Sequence, residues 1–187
     1  MDNKLTIEPL KLKGAFLVRS SIFGDHRGQF SRWFCSKELK HILKKRVICQ
    51  VNMSATEKEG TVRGLHYQLP PQCETKLVRC IRGKVWDTII DIRSDLKTFL
   101  ESISIELDEQ DSTMLVIPEG MAHGFQSLQD NSQLLYMHTE FYSPESESGL
   151  NINDPALNLF WPRPITNMSE RDKQFSNVPK GFTGLSL

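Results

Sequence analysis

The sequence predicts a mainly β protein, an antiparallel sandwich or barrel with a few short helices. Three observations carry this. Short β-rich segments are separated by Gly- or Pro-marked turns, several alternate apolar and polar residues with period two, and helical patterns are rare. A helix capped by Ser36 is predicted through about Lys45, with Leu39, Ile42 and Leu43 as its apolar stripe. Leu77 to Ile81 reads as a strand, Arg82-Gly83-Lys84 as a turn, and Val85 to Ile92 as the next strand. In that run Trp86, Thr88, Ile90 and Ile92 share one face and Asp87 and Asp91 the other. Ile103, Ile105 and Leu107 alternate with polar residues, and Met114 to Ile117 is a buried run stopped by Pro118. Leu134 to Tyr142 reads as a strand with Leu134, Tyr136 and His138 on one side. Asp154 and Ser169 each open a short helical turn. No repeat, linker or low-complexity segment divides residues 1–187, so they read as a single domain.

Hydrophobic residues are 39% and charged residues 25%, ordinary for a soluble globular chain. Lys plus Arg balances Asp plus Glu, 23 against 23. That neutrality suggests neither a nucleic-acid nor a membrane partner, and a local cation cluster within it points to a small anionic ligand. The amino-terminal stretch Met1 to Phe16 has no continuous apolar segment, so no signal peptide is expected, and no apolar run is long enough to span a membrane. Cys35, Cys49, Cys73 and Cys80 show no C-x-x-C spacing. Reduced thiols in a cytoplasm are the expectation.

The chemistry concentrates in Gly60-Thr61-Val62-Arg63-Gly64-Leu65-His66-Tyr67-Gln68 and in Lys76-Leu77-Val78-Arg79. A histidine beside Arg63, Lys76 and Arg79 is a base next to fixed cations, which suits proton removal from carbon and retention of the resulting oxyanion. By itself a strand histidine is more often a satisfied core residue, and it is the cations that shift the balance. His123 follows Pro118-Glu119-Gly120, a good β-turn, and the turn explains the proline and glycine but not the histidine.

Gly60 to His66 and Pro118-x-Gly120-x-x-His123 resemble the two short motifs of the cupin superfamily. Metal-binding cupins place H-x-H and then Glu in the first motif. Here the second histidine is Gln68 and no Glu stands at the matching place. Two histidines are a poor set for a catalytic divalent metal, so metal-free chemistry with no cofactor is expected.

A closer resemblance is to the dTDP-4-dehydrorhamnose 3,5-epimerase family. It is carried by Phe23-Gly24-Asp25-His26-Arg27-Gly28, Val62 to Gln68, Lys76 to Cys80, Pro118 to Phe125, Tyr142-Ser143-Pro144 and Asn153-Asp154, from about residue 5 to 175. It implies a cupin-type antiparallel β-sandwich or jelly roll, a homodimer, and a nucleotide-diphosphate 4-keto-6-deoxyhexose as substrate, epimerised at carbon 3, carbon 5 or both. It also implies His66 as general base, Lys76 near the keto oxygen, Tyr136 as proton donor on the opposite face, and Asp172 as the carboxylate orienting the base. Arg27, Gln50, Asn52, Arg63, His123 and Glu147 match positions that bind the nucleotide-sugar, and arginines suit a diphosphate through paired hydrogen bonds.

Two residues depart from the family pattern. Arg32 stands where the rhamnose-pathway members carry Glu, and Arg171 where lysine is usual. The first puts the choice of nucleotide or deoxysugar in doubt. Two rival functions differ in class. A metal-dependent cupin oxygenase would hold its metal on His66 and His123. A non-catalytic sugar-nucleotide binding module would keep Arg27 and Arg63 but have no use for His66 and Tyr136 together.

Overall fold

The structure, a computed structural model, describes residues 4–94 and 96–187. The first three residues of the amino-terminal stretch therefore lie outside the described residues. One sheet contains β1 (Leu5–Pro9), β2 (Phe16–Ser20), β5 (Gln50–Thr56), β7 (Lys76–Arg82), β10 (Thr113–Ile117) and β12 (Ser132–His138), in the order β1-β2-β10-β7-β12-β5. The other contains β6 (Val62–Gln68), β8 (Lys84–Asp91), β9 (Ser102–Asp108), β11 (Met121–Ser127) and β13 (Glu147–Gly149), in the order β13-β6-β11-β8-β9. A separate hairpin joins β3 (Ile22–Asp25) to β4 (Gly28–Ser31). All these strand pairings are antiparallel. The expected β-sandwich is the fold.

Period two explains how the strands divide their side chains. Val78, Cys80, Leu115, Ile117 and Leu134 of the six-stranded sheet meet Val85, Ile89, Leu107 and Phe125 of the other. The alternate residues Leu77, Met114, Val116 and Met137 face outward, where Leu39 and Leu43 cover them. Behind the five-stranded sheet, Val62, Leu65, Ile90 and Ile92 pack on Leu150, Ile152, Leu157 and Leu185. Both faces of β10 are thus covered, which is why Met114 to Ile117 reads as a continuous apolar run.

Three expectations shift. The helix at Ser36 shrinks to α1 (Lys40–Leu43), with Leu39 at its amino end and no side-chain cap. That segment is anchored instead by Leu39 and Leu43 in the core, and by Glu38, whose Oε2 accepts the Lys4 and Leu5 N–H groups at 2.8 and 2.9 Å. The strand from Leu134 ends at His138, not Tyr142. Arg79 does not join the histidine and lysine. It alternates to the outer face, where it is buried with its guanidinium 4.4 Å from the Trp33 ring centroid. The two helical turns are found as read. Asp154 caps residues Pro155–Leu157, and Ser169 caps α2 (Glu170–Lys173), its hydroxyl accepting the Asp172 N–H.

Strands β6 and β11 approach closely at Gly64. A Cβ there would lie 2.6 Å from Gly124 Cα and 2.8 Å from the His123 oxygen, at a φ of +121°. These are backbone atoms of β11, which leave no room to relax. Gly64→Ala is expected to cost about 1–3 kcal/mol, read as a lowered urea midpoint with an unchanged slope.

Candidate active site

A cavity of about 620 Å³ opens between the two sheets at the end where β6, β7 and β12 meet the carboxy-terminal segment. Strands β6 and β7 are consecutive in sequence but lie in opposite sheets. His66 therefore does not sit beside Lys76, as neighbouring strands would have it, but on the other wall. Lys76 and Tyr136 line the six-stranded wall, as do Gln50, Asn52 and Ser54. His66, Arg63 and His123 line the five-stranded wall, and Glu147 and Asp172 complete it.

His66 is only partly buried, and its Nε2 lies 2.8 Å from Asp172 Oδ1. A carboxylate only accepts, so in the neutral ring Nε2 carries the proton and Nδ1 keeps its lone pair. Nδ1 has no hydrogen-bond partner among the described residues. Asp172 lies on the first turn of α2 yet turns inward. It is 3% exposed. Its other oxygen accepts the Gly64 N–H at 3.0 Å, which ties α2 to the backbone two residues before the histidine. Burial alone raises its pKa, but the hydrogen bonds from His66, Gly64 and Ser169 together with the His66 charge outweigh this and hold it at about 2.

Tyr136 stands on the opposing sheet with its hydroxyl 3.1 Å from Ser54 Oγ. Burial pushes the phenol up, and the Ser54 hydrogen bond only partly offsets this. Its ring makes an edge contact with His123 at 6.3 Å between centroids. His123 in turn lies 3.0 Å from both oxygens of Asp87, which is wholly buried. Asp87 is the partner of the cavity-lining His123, and motif reading missed it. Its signal was the alternation that set it against the apolar face of β8.

Arg63 crosses from β6 to β5, donating to Thr56 Oγ1 at 3.1 Å and to the Ala55 oxygen at 3.0 Å. It forms no ion pair among the described residues, so its charge faces the cavity without a protein counterion. Glu147 accepts the Tyr142 hydroxyl at 2.7 Å and Arg171 Nη1 at 2.5 Å. Arg171 also brings Nη2 to 3.2 Å from His66 Nε2, so the arginine in place of the usual lysine caps the histidine–carboxylate pair. Gln68, where metal cupins have a second histidine, spends its amide on loop backbone: Gln72 and Phe141 oxygens and the Ser143 N–H. Both cupin-motif histidines are committed to carboxylates, and no cluster of three metal-ligating side chains occurs among the described residues.

Arg27 is the one predicted binding residue that the chain does not bring to the cavity. It sits at the exposed end of the β3–β4 hairpin, paired with Asp25 at 2.6 Å, because a two-stranded arm carries it away from the sandwich. Arg32 also stays off the cavity wall. It pairs with Glu38 at 2.6 Å, so the reversed charge at this position is answered locally.

A two-sheet sandwich whose walls hold a carboxylate-bound imidazole against a phenol and an ammonium belongs to the cupin-type nucleotide-sugar epimerases, which are isomerases. Residues 9–179 match the model of dTDP-4-dehydrorhamnose 3,5-epimerase, and the chain belongs to that family. It is 37% identical over 171 residues to a dTDP-4-dehydrorhamnose 3,5-epimerase of Sinorhizobium fredii, covering 91% of this chain and 88% of that one. It is 32% identical to a dTDP-4-dehydro-6-deoxyglucose 3-epimerase of Streptomyces, covering 89% and 86%. Among solved structures, it superposes with TM-score 0.90 on the dTDP-6-deoxy-D-glucose-3,5-epimerase of Legionella pneumophila in complex with dTDP-4-keto-L-rhamnose, at 29% identity and covering 98% and 99%.

Asp172 fixes a pH signature. Its folded pKa is below its unfolded value, so the stability it adds is present above pH 4 and lost as pH falls toward 2. The excess stability of wild type over Asp172→Asn, from urea unfolding, should be about 2 kcal/mol near pH 5 and shrink as pH falls toward 2.

Proposed function

We propose that this chain epimerises a dTDP-linked 4-keto-6-deoxyhexose at carbon 3, carbon 5 or both, without a metal, as one cupin-like domain in the cytoplasm. The observation that carries the reading is the opposition of His66 and Tyr136 on facing sheets of one cavity. Inversion needs a proton taken from one face and returned on the other, and one group on one wall does not do both.

In this mechanism His66 Nδ1 takes the proton next to the ketone. A neutral imidazole does this only if the enolate is stabilised. Lys76 supplies the stabilising charge at the keto oxygen, and one such donor is worth about 10²–10³ in rate. As His66 becomes an imidazolium, the buried Asp172 carboxylate balances it and keeps its ring in place. Tyr136, kept protonated by its raised pKa, gives its proton to the other face with Ser54 orienting the hydroxyl. Arg63 and His123 bind the diphosphate-sugar with Gln50, Asn52 and Glu147 around it. The relatives' names support both a dTDP substrate and an open choice of carbon, since one is a 3,5-epimerase and another a 3-epimerase.

A homodimer follows from the same reading. The hairpin exposes Phe23 and Phe30 beside Arg27, and β5 exposes Val51 and Met53 on an edge strand. Unpaired strand edges and clustered apolar side chains call for a cover. A second copy would supply one, and it is the route by which Arg27 could meet a cavity. Sedimentation equilibrium should give twice the 21.5 kDa chain mass, and a monomer at micromolar concentration would refute the pairing.

The central test is incubation in heavy water with dTDP-4-dehydro-6-deoxyglucose, followed by NMR. Wild type should place deuterium at carbon 3, carbon 5 or both. His66→Ala should lower exchange by about 10²–10⁴. Tyr136→Phe should still exchange but invert far more slowly. A Tyr136→Phe variant that inverts at the wild-type rate would remove Tyr136 as donor.

A further inference from the structure

The cavity contains a third histidine–carboxylate pair that the mechanism above does not use. Glu74, Thr75 and Lys76 run extended into β7, which projects Glu74 and Lys76 to one side and buries Thr75 on the other. Thr75 and Thr139 bond to each other, with the Thr75 N–H donating to Thr139 Oγ1 at 2.9 Å and the Thr139 N–H to the Thr75 oxygen at 3.1 Å. That pair fixes the approach to β7 against the end of β12. His138, the last residue of β12, is the register partner of Lys76 on one side and Gln50 on the other.

Glu74 lies between two donors. Its Oε2 is 2.7 Å from His138 Nδ1, and its Oε1 is 3.0 Å from Lys76 Nζ. Nδ1 therefore carries a proton. The ring stacks on Tyr136, with centroids 6.0 Å apart and planes inclined by 22°, while Nε2 is 3.4 Å from Asn52 Nδ2. The side chains of Lys76, Glu74 and His138 are 12%, 8% and 11% exposed, and all three line the cavity. An ammonium buried against a full counterion is a poor partner for a developing oxyanion, because the carboxylate competes for it. A second donor on that carboxylate weakens the competition.

We infer that Glu74 and His138 are positioning residues for Lys76: the imidazole N–H holds the carboxylate back, which sets where the ammonium stands and frees its charge for the substrate's keto oxygen. This rests on the epimerase reading of Lys76. The effect falls on proton abstraction and leaves nucleotide binding alone.

Three substitutions separate the two ring nitrogens. His138→Asn keeps an N–H near the place of Nδ1, His138→Gln puts one near Nε2, and His138→Leu has neither. Two quantities are measured on the full chain: deuterium incorporation into saturating dTDP-4-dehydro-6-deoxyglucose, and the Kd of dTDP alone, which also reports a folded site. His138→Leu, His138→Gln and Glu74→Gln should lower the exchange kcat at least about tenfold. His138→Asn should stay within about threefold of wild type, and all four should bind dTDP within about twofold of it. Wild-type exchange in His138→Leu would overturn the inference. So would rescue by His138→Gln but not His138→Asn, which would mean the ring touches substrate through Nε2. A loss confined to dTDP affinity would also overturn it. A wild-type chain that exchanges no deuterium while binding dTDP removes the epimerase reading, and this inference with it.

Discussion

The buried Asp172 carboxylate is the interaction on which the site depends. One oxygen holds His66 Nε2 and the other holds the Gly64 N–H, so a single side chain fixes both the imidazole and the strand that carries it. The helix turn that presents Asp172 is capped by Ser169 through the Asp172 N–H. Local helix chemistry, a long-range tie to β6 and the tautomer of His66 thus meet at one residue. Without the carboxylate, His66 Nε2 would face only Arg171, a group that repels an imidazolium.

The sandwich turns this local order into chemistry because its two sheets face each other. Strands β6 and β7 cross from one sheet to the other, so residues close in sequence arrive on opposite walls. The imidazole comes from one wall and the phenol and ammonium from the other, while the backs of both sheets are sealed by separate apolar layers. Rigid strands hold these groups at fixed separation, which is what the proposed proton transfer on two faces of a ring requires.

Much of this was legible in the sequence. Alternation along β8, β9 and β12 assigned faces correctly, since each of those strands has a covered side and a distinct opposite side. Ser169 and Asp154 announced their turns through capping chemistry, which is local. Other features were not legible because they depend on distant partners. The Ser36 cap failed because burial of Leu39 and Leu43, not helix propensity, shapes that segment. Arg79 was grouped with His66 by proximity in sequence, yet its parity on β7 sends it to the outer face. Asp87, Glu74 and His138 carry no motif, and only the pairing of strands brings each to its partner.

The link between His66 and Asp172 spans 106 residues, and this has a bearing on biosynthesis. Every strand of both sheets is translated before Asp172. The imidazole is therefore made long before its anchor. The histidine–carboxylate pair is completed last, as the segment carrying Asp172 docks on β6.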